Sequence, residues 1–427
     1  MKTARFGVLA ITAAGLSFGA SGDTALKCGS FLDVRSGEMV AGGVVLISNG
    51  LITAAGKALA VPAGHKVVDL GSATCLPGLI DVHDHLTADP EYAGYQGLGI
   101  SVPRSTVTGV KNARKTLLAG FTSVRNVGAN GYSDVALRDG IDAGDVDGPH
   151  LLVSGPPLGI TGGHCDETLL APEFKFVAPG VADGPWQARA KVREAVKFGA
   201  DLIKICASGG VLSKGDQPGT PQYSLEEMQA IVTEAHRLGR KVAAHAHGTE
   251  SIKDAIRAGV DSVEHCSLID DEGIALAREK GTFLIFDIYN DAFILEFGAK
   301  VGMLPESLAK ERKIGQLQRD NFRKAARAGG VRMAFGTDGG VYPHGDNARQ
   351  FIYMVDYGMK PLEAIRSATL NAAELMGVKD LAGALEAGHW ADVIAVEGNP
   401  LANIKLLEQV AFVMKSGQIY RNDLAKR

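Results

Sequence analysis

Metal chemistry is the first thing the residue order suggests. His83-Asp84-His85 follows the apolar run Leu79 to Val82. Two imidazoles at i and i+2 on an extended backbone point to one side and can reach one ion. Such a pair arises often by chance, so its company decides. Lys204 lies inside Asp201-Leu202-Ile203-Lys204-Ile205, His245 closes Val242-Ala243-Ala244-His245, His265 closes Ser262-Val263-Glu264-His265, and Asp338 follows Gly336-Thr337. A lone ammonium buried in an apolar strand is costly. Lys204 therefore needs a salt-bridge partner or a chemistry that removes its charge. Two His, one Lys and one Asp added to a His-x-His pair are poorly explained by packing alone, and a metal site accounts for all of them.

The elements that would position these residues alternate. Ser224 precedes Glu227 by three residues in a capping box, Met228, Ile231, Val232, Ala235 and Leu238 recur at helical spacing, and Gly239 stops the helix. The strand Val242 to His245 comes next. Further units run from Ile252 to Ala258 into Ser262 to His265, from Ile274 to Glu279 into Phe283 to Tyr289, and from Glu306 to Ala328 into Met333 to Thr337. Earlier strands are expected at Leu79 to Val82, Thr122 to Val127, Leu151 to Ser154 and Leu202 to Ile205. Eight strands separated by helices predict an α/β chain with a (β/α)8 barrel of the TIM type over residues 78–382, whose strand ends share one mouth. A doubly wound sheet is the alternative, but the Gly-x-Gly-x-x-Gly turn is missing after the first strand. The flanks, 26–77 and 383–427, read as short strands with turns and predict a small composite β-sandwich made from both ends of the chain.

The N-terminus has the pattern of a cleaved secretory signal over Met1–Ala25: Lys2 and Arg5, an apolar stretch from Phe6 to Phe18, then small residues. A periplasmic or secreted address is the expectation. No later apolar run is long enough to span a bilayer. With 44 basic and 48 acidic residues among 427, and no more than two basic residues in a row, a nucleic-acid footprint is absent. Cys28, Cys75, Cys165, Cys206 and Cys266 show no Cys-x-x-Cys spacing. Three of them adjoin candidate site residues, so they are expected to act as small buried hydrophobes rather than as a disulfide framework.

Several stretches resemble the amidohydrolase superfamily, and within it the branch of prolidase-like carboxypeptidases and ochratoxinases. They are Pro77 to His85, Gly120-Phe121-Thr122-Ser123-Val124-Arg125, Thr161-Gly162-Gly163-His164, Lys204 to Gly210 and Gly336-Thr337-Asp338-Gly339-Gly340. The resemblance implies two divalent ions, expected to be zinc. His83 and His85 would hold the more buried one, and His245 and His265 the more exposed one. Lys204 would be N-carboxylated, bridging the two, and Asp338 would bind the first ion and act as general base and acid. Large homo-oligomers, octamers among them, are also implied. Two positions depart from the family pattern: Asn126, where an acid is common, and Asp287, in Phe286-Asp287-Ile288-Tyr289.

Around this set, His164 is placed to hydrogen-bond a substrate carbonyl or its oxyanion, with a surface-loop histidine as the alternative. His247 could meet a substrate carboxylate or support a ligand, and Tyr289 and His344 could line the mouth. The function expected is cleavage of the amide bond to a C-terminal amino acid, in dipeptides or N-acyl amino acids such as ochratoxin A. A one-metal deaminase is the competing enzyme class, although Gly248 stands where such enzymes usually carry Glu three residues after the strand-five His. A cyclic-amide hydrolase is another. A metal-dependent binding protein would have no use for Asp338, and no Gly-x-Ser-x-Gly elbow supports a serine nucleophile.

Overall fold

A computed structural model describes residues 22–426. Most of the signal expected over Met1–Ala25 lies outside the described residues. Thr24 and Ala25, at its expected end, open strand β1 (Thr24–Leu32), opposite Ile47 and Leu46.

β1 is followed by β2 (Met39–Ser48), β3 (Leu51–Lys57), β4 (Lys66–Asp69) and β5 (Thr74–Pro77). After a long excursion the chain returns as β13 (Val393–Val396), β14 (Phe412–Lys415) and β15 (Gln418–Asn422). All eight form one sheet in the order β15-β14-β13-β5-β1-β2-β3, with β4 on the free half of β1. Its own core gathers Leu26, Phe31, Val45, Ile52, Val393 and Phe412. The two ends of the chain are thus joined through the β5–β13 pairing.

Between them run β6 (Leu79–Asp84), β7 (Phe121–Asn126) and β8 (His150–Val153) in one parallel sheet. A second parallel sheet holds β9 (Leu202–Cys206), β10 (Lys241–Ala246), β11 (Ser262–His265) and β12 (Phe283–Ile285). Backbone bonds join the sheets where β8 meets β9: Asp201 N donates to Val153 O at 2.7 Å and Leu158 N to Lys204 O at 2.8 Å. Across the other gap, the stretch 332–339 lies between β12 and β6. Leu284 N donates to Arg332 O at 2.9 Å, Val82 N to Phe335 O at 2.9 Å and Thr337 N to His83 O at 3.1 Å. The eighth strand expected at Met333 to Thr337 appears as this extended stretch, with isolated ladder bridges to Leu284 at Met333 and to Asp84 at Gly339. The seventh is shorter than expected and ends at Ile285, so Tyr289 does not close a strand.

Helices α1 (Val102–Leu118), α2 (Ser133–Asp142), α3 (Pro185–Lys197), α4 (Leu225–Arg237), α5 (Thr249–Ala258), α6 (Asp271–Lys280), α7 (Asn290–Phe297) and α8 (Pro305–Ala328) pack outside these strands. The capping box on α4 is formed, with Glu227 N donating to Ser224 Oγ and Ser224 N to Glu227 Oε2. Strand alternation then sorts the side chains. Ile203, Ile205, Val242, Ala244 and Val263 pack with Val192, Met228, Ile252 and Phe322 of the helices, which sends Lys204, Cys206, His245 and Glu264 to the opposite face.

Candidate metal centre

That opposite face opens into a cavity of about 930 Å³ whose wall includes His83, His85, His164, Lys204, His245, His247, His265 and Asp338. Alternation alone would turn His265 away, because its neighbour Glu264 already points inward. His265 and Cys266 adopt φ of 70° and 54°, and Asp338 a φ of 58°. Side chains other than glycine seldom hold this left-handed backbone, and it recurs at functional sites. Here it re-aims His265 into the cavity.

Two groups of ligand-type atoms lie close enough to share an ion, each within 4.8 Å of one another: His83, His265 and Asp338, and His245, His247 and His265. His265 belongs to both. His247, expected at the substrate, therefore stands among the ligand candidates. Its Nδ1 is 2.7 Å from Ser267 Oγ. His85 Nε2 is 3.1 Å from Asp338 Oδ1, and its Nδ1 is 3.0 Å from Gly128 O. Asn126 works behind this contact: Nδ2 donates to the same carbonyl at 3.1 Å, and Oδ1 accepts from Leu86 N at 2.7 Å. Asp287 is equally specific, since its Oδ2 lies 3.0 Å from His265 Nδ1 and its Oδ1 accepts from Gln318 Nε2 at 2.7 Å. A carboxylate behind a ligating imidazole fixes the ring and raises its basicity.

The donor set fits cations. His83 Nδ1 is 3.1 Å from Glu264 Oε2 and its Nε2 is 3.4 Å from Asp338 Oδ1, yet neither approach has hydrogen-bond geometry. Burial lowers the His83 pKa, but the Asp338 and Glu264 carboxylates outweigh it and lift it to about 9. Burial holds Lys204 below the ordinary lysine value, and no hydrogen bond or ion pair among the described residues reaches its Nζ. Burial, then the neighbouring imidazoles, keep His245 and His247 uncharged and available as ligands.

His164 stacks on His245 with ring centroids 4.2 Å apart. Its Nδ1 is 2.7 Å from Ser213 Oγ, which donates to Asp216 Oδ1 at 2.7 Å, and Lys310 Nζ holds that carboxylate at 2.8 Å. Two other expected contacts are not on the cavity wall. Tyr289 is packed on Tyr342 and accepts from Arg349 through its hydroxyl. His344 is buried behind β6, with Nδ1 3.4 Å from Asp84 Oδ1 and Nε2 3.2 Å from Ala88 O.

Other residues carry weight that their sequence neighbours do not advertise. Arg125, fully buried on β7, donates from Nη2 to Glu264 Oε1 at 2.8 Å and from Nη1 to Ser262 Oγ at 3.0 Å, so it is spent inside the fold and does not reach the cavity. Asn290 Nδ2 donates to Asp338 Oδ2 at 3.0 Å. The cysteine expectation is overturned at four of five positions: Cys28–Cys75 and Cys165–Cys206 are disulfides, each with Cα atoms 6.0 Å apart, and only Cys266 is a free buried thiol. Sequence separations of 47 and 41 leave no local spacing to signal either bridge. The second bridge ties the His164 loop to the strand of Lys204.

Known proteins agree with this geometry. Residues 74–420 match the model of the amidohydrolase family. The ochratoxinase of Aspergillus niger is 34% identical over 417 residues, covering 90% of this chain and 84% of the relative. A solved Xaa-Pro dipeptidase with bound methionine in its active site superposes with a TM-score of 0.88 at 37% identity, over 94% of this chain and all of the other. The crystal structure of A. niger ochratoxinase gives 0.83 at 32% identity, over 94% and 96%. A cavity ringed by ligand-type histidines, an acid between two of them and a fold shared along nearly the whole length lead to one assignment: the chain belongs to the amidohydrolase family and is an enzyme, a hydrolase acting on amide bonds.

Proposed function

We propose that the protein is a binuclear amidohydrolase releasing the C-terminal amino acid of dipeptides or N-acyl amino acids. The observation that carries this reading is Asp338, 3.1 Å from His85 and 3.4 Å from His83, facing His245, His247, His265 and the unpartnered Lys204 across one cavity. In this reading the two parallel sheets and the stretch 332–339 are arcs of a single eight-stranded barrel. His83, His85 and Asp338 would hold one divalent ion and His245 and His265 the other, with a carboxylated Lys204 as a further anionic ligand. Zinc suits such nitrogen and oxygen ligands.

Divalent ions held there supply Lewis-acid polarisation of the scissile carbonyl and make water a nucleophile near neutral pH. The side chains do the rest. Asp338 Oδ1 takes the proton of the attacking water and passes it to the leaving amine, while Asn290 holds Oδ2 in place. Burial lowers the His164 pKa to about 4. With its Nδ1 tied to Ser213, His164 turns Nε2 toward the substrate. Leu98, Ile100, Leu170, Phe176, Val211 and Met303 exclude water and receive an apolar substituent. The names of the relatives, an ochratoxinase and an Xaa-Pro dipeptidase, support an amino-acid leaving group, with ochratoxin A inside the class. The two disulfides support export to an oxidising compartment. Elemental analysis should find two divalent ions per chain, and a panel of dipeptides and N-acyl amino acids should release free amino acid. A fully active enzyme holding one ion would sink the binuclear reading.

A further inference from the structure

Six carboxylates stand in the cavity wall, Asp89, Asp166, Glu167, Asp287, Glu311 and Asp338, and Lys204 is the only lysine or arginine there. Five of the acids are already engaged. Asp89 holds Lys111 at 2.7 Å, Asp166 and Glu167 accept backbone N–H groups, Asp287 backs His265, and Asp338 meets His83, His85 and Asn290. Glu311 is the exception. It sits on α8, is 5% exposed, and no hydrogen bond or ion pair among the described residues reaches its carboxyl. Its neighbour Asp291 does not supply one, being another carboxylate already paired with Arg319. Burial, with the Asp291 carboxylate adding to it, pushes Glu311 up to about 8.

A buried carboxyl without a partner is expensive to keep, and a cation brought to it forms a charge-assisted bond of the stronger kind. We propose that Glu311 is the specificity site for a protonated amine of the substrate. The inference rests on the amide-hydrolysis reading above and narrows it to substrates that carry an ammonium group on the α8 side of the cavity. Two sources share this chemistry: the α-ammonium of a dipeptide, and the basic side chain of a released or N-terminal residue.

The holoenzyme and its Glu311→Gln variant, which keeps the side-chain volume, separate these possibilities. Alanyl-leucine, alanyl-lysine, N-acetyl-leucine and N-acetyl-lysine are compared by kcat/KM, and n-hexylamine against n-hexanol by calorimetric binding. Wild type should favour amine-bearing substrates over N-acetyl-leucine by at least about tenfold, equivalent to roughly 1.4 kcal/mol. Glu311→Gln should erase that preference and leave N-acetyl-leucine within about twofold. A loss confined to alanyl substrates assigns the α-ammonium, and one confined to lysyl substrates the side chain. Hexylamine should bind wild type more tightly than hexanol, and the variant should lose the difference. An equal loss on all four substrates, or none, overturns the inference while leaving amide hydrolysis standing. Selective amine binding in a protein that hydrolyses none of the four keeps Glu311 and overturns the reaction. If neither appears, both fall.

Discussion

The two flanks of the metal centre are built from the same side chain and differ in what stands behind it. On the flank of His83 and His85, a carboxylate backs one of the two rings: Glu264 Oε2 lies 3.1 Å from His83 Nδ1, while the Gly128 carbonyl backs His85 and Asp338 faces both rings from the cavity side. On the flank of His245 and His247, the second atoms are neutral, the Gly209 carbonyl at 3.2 Å and the Ser267 hydroxyl at 2.7 Å. His265 sits between, with Asp287 behind it. An imidazole backed by a carboxylate is a stronger base and a tighter ligand than one backed by a hydroxyl. The first flank can therefore offset part of a divalent ion's charge from its own residues, chiefly through Asp338. The second cannot, and its missing anion must come from elsewhere; a carboxylated Lys204 would provide it.

Four substitutions test this contrast, beginning with the largest effect. Asp338→Asn should lower kcat for amide hydrolysis by about three orders of magnitude, because the proton carrier is gone; activity within tenfold of wild type would remove Asp338 from the chemistry. Lys204→Ala should cost one of two bound ions in elemental analysis and most of the activity, and the remaining ion should be held by the His83 flank. Loss of both ions together would mean that the flanks are not separable. Glu264→Gln should weaken the tighter metal site by about 10–100-fold in chelator competition. Ser267→Ala, which frees His247 beside the other site, should weaken that site by less than about tenfold, since only a neutral bond is lost. Equal losses from the last pair would erase the distinction.

What could be read from the sequence follows the same division. His83, His85, Lys204, His245, His265 and Asp338 were legible because each stands in or after an apolar run, and parallel strands bring such ends together. Their partners were not. Asn290 meets Asp338 and Ser213 meets His164 only through tertiary approach, and nothing local marks them; Asp287 stood out only as a departure from the family pattern. Glu264 was half legible: strand alternation beside His265 puts one of the two inward, and the left-handed φ at His265 is what admits both. Tyr289 misled because the Phe283 run looked long enough to carry it to the mouth, whereas the strand stops at Ile285 and α7 begins at Asn290. The composite sheet was readable from the two β-rich ends, and the pairing of β5 with β13 realises it. The disulfides escaped because proximity to site residues was taken as a sign of simple packing, a description that suits Cys266 alone.

The Cys165–Cys206 bridge has a consequence for how the enzyme withstands damage. It makes a covalent ring of the chain between those residues, and the ring's outer edge exposes Phe174 and Phe176 at 70% and 54%. A protease that prefers aromatic residues has its target there. A cut at either position yields two fragments that stay linked, one bringing His83, His85 and His164 and the other Lys204, His245, His265 and Asp338. The nicked enzyme should run as one species on a non-reducing gel and as two after a thiol reductant.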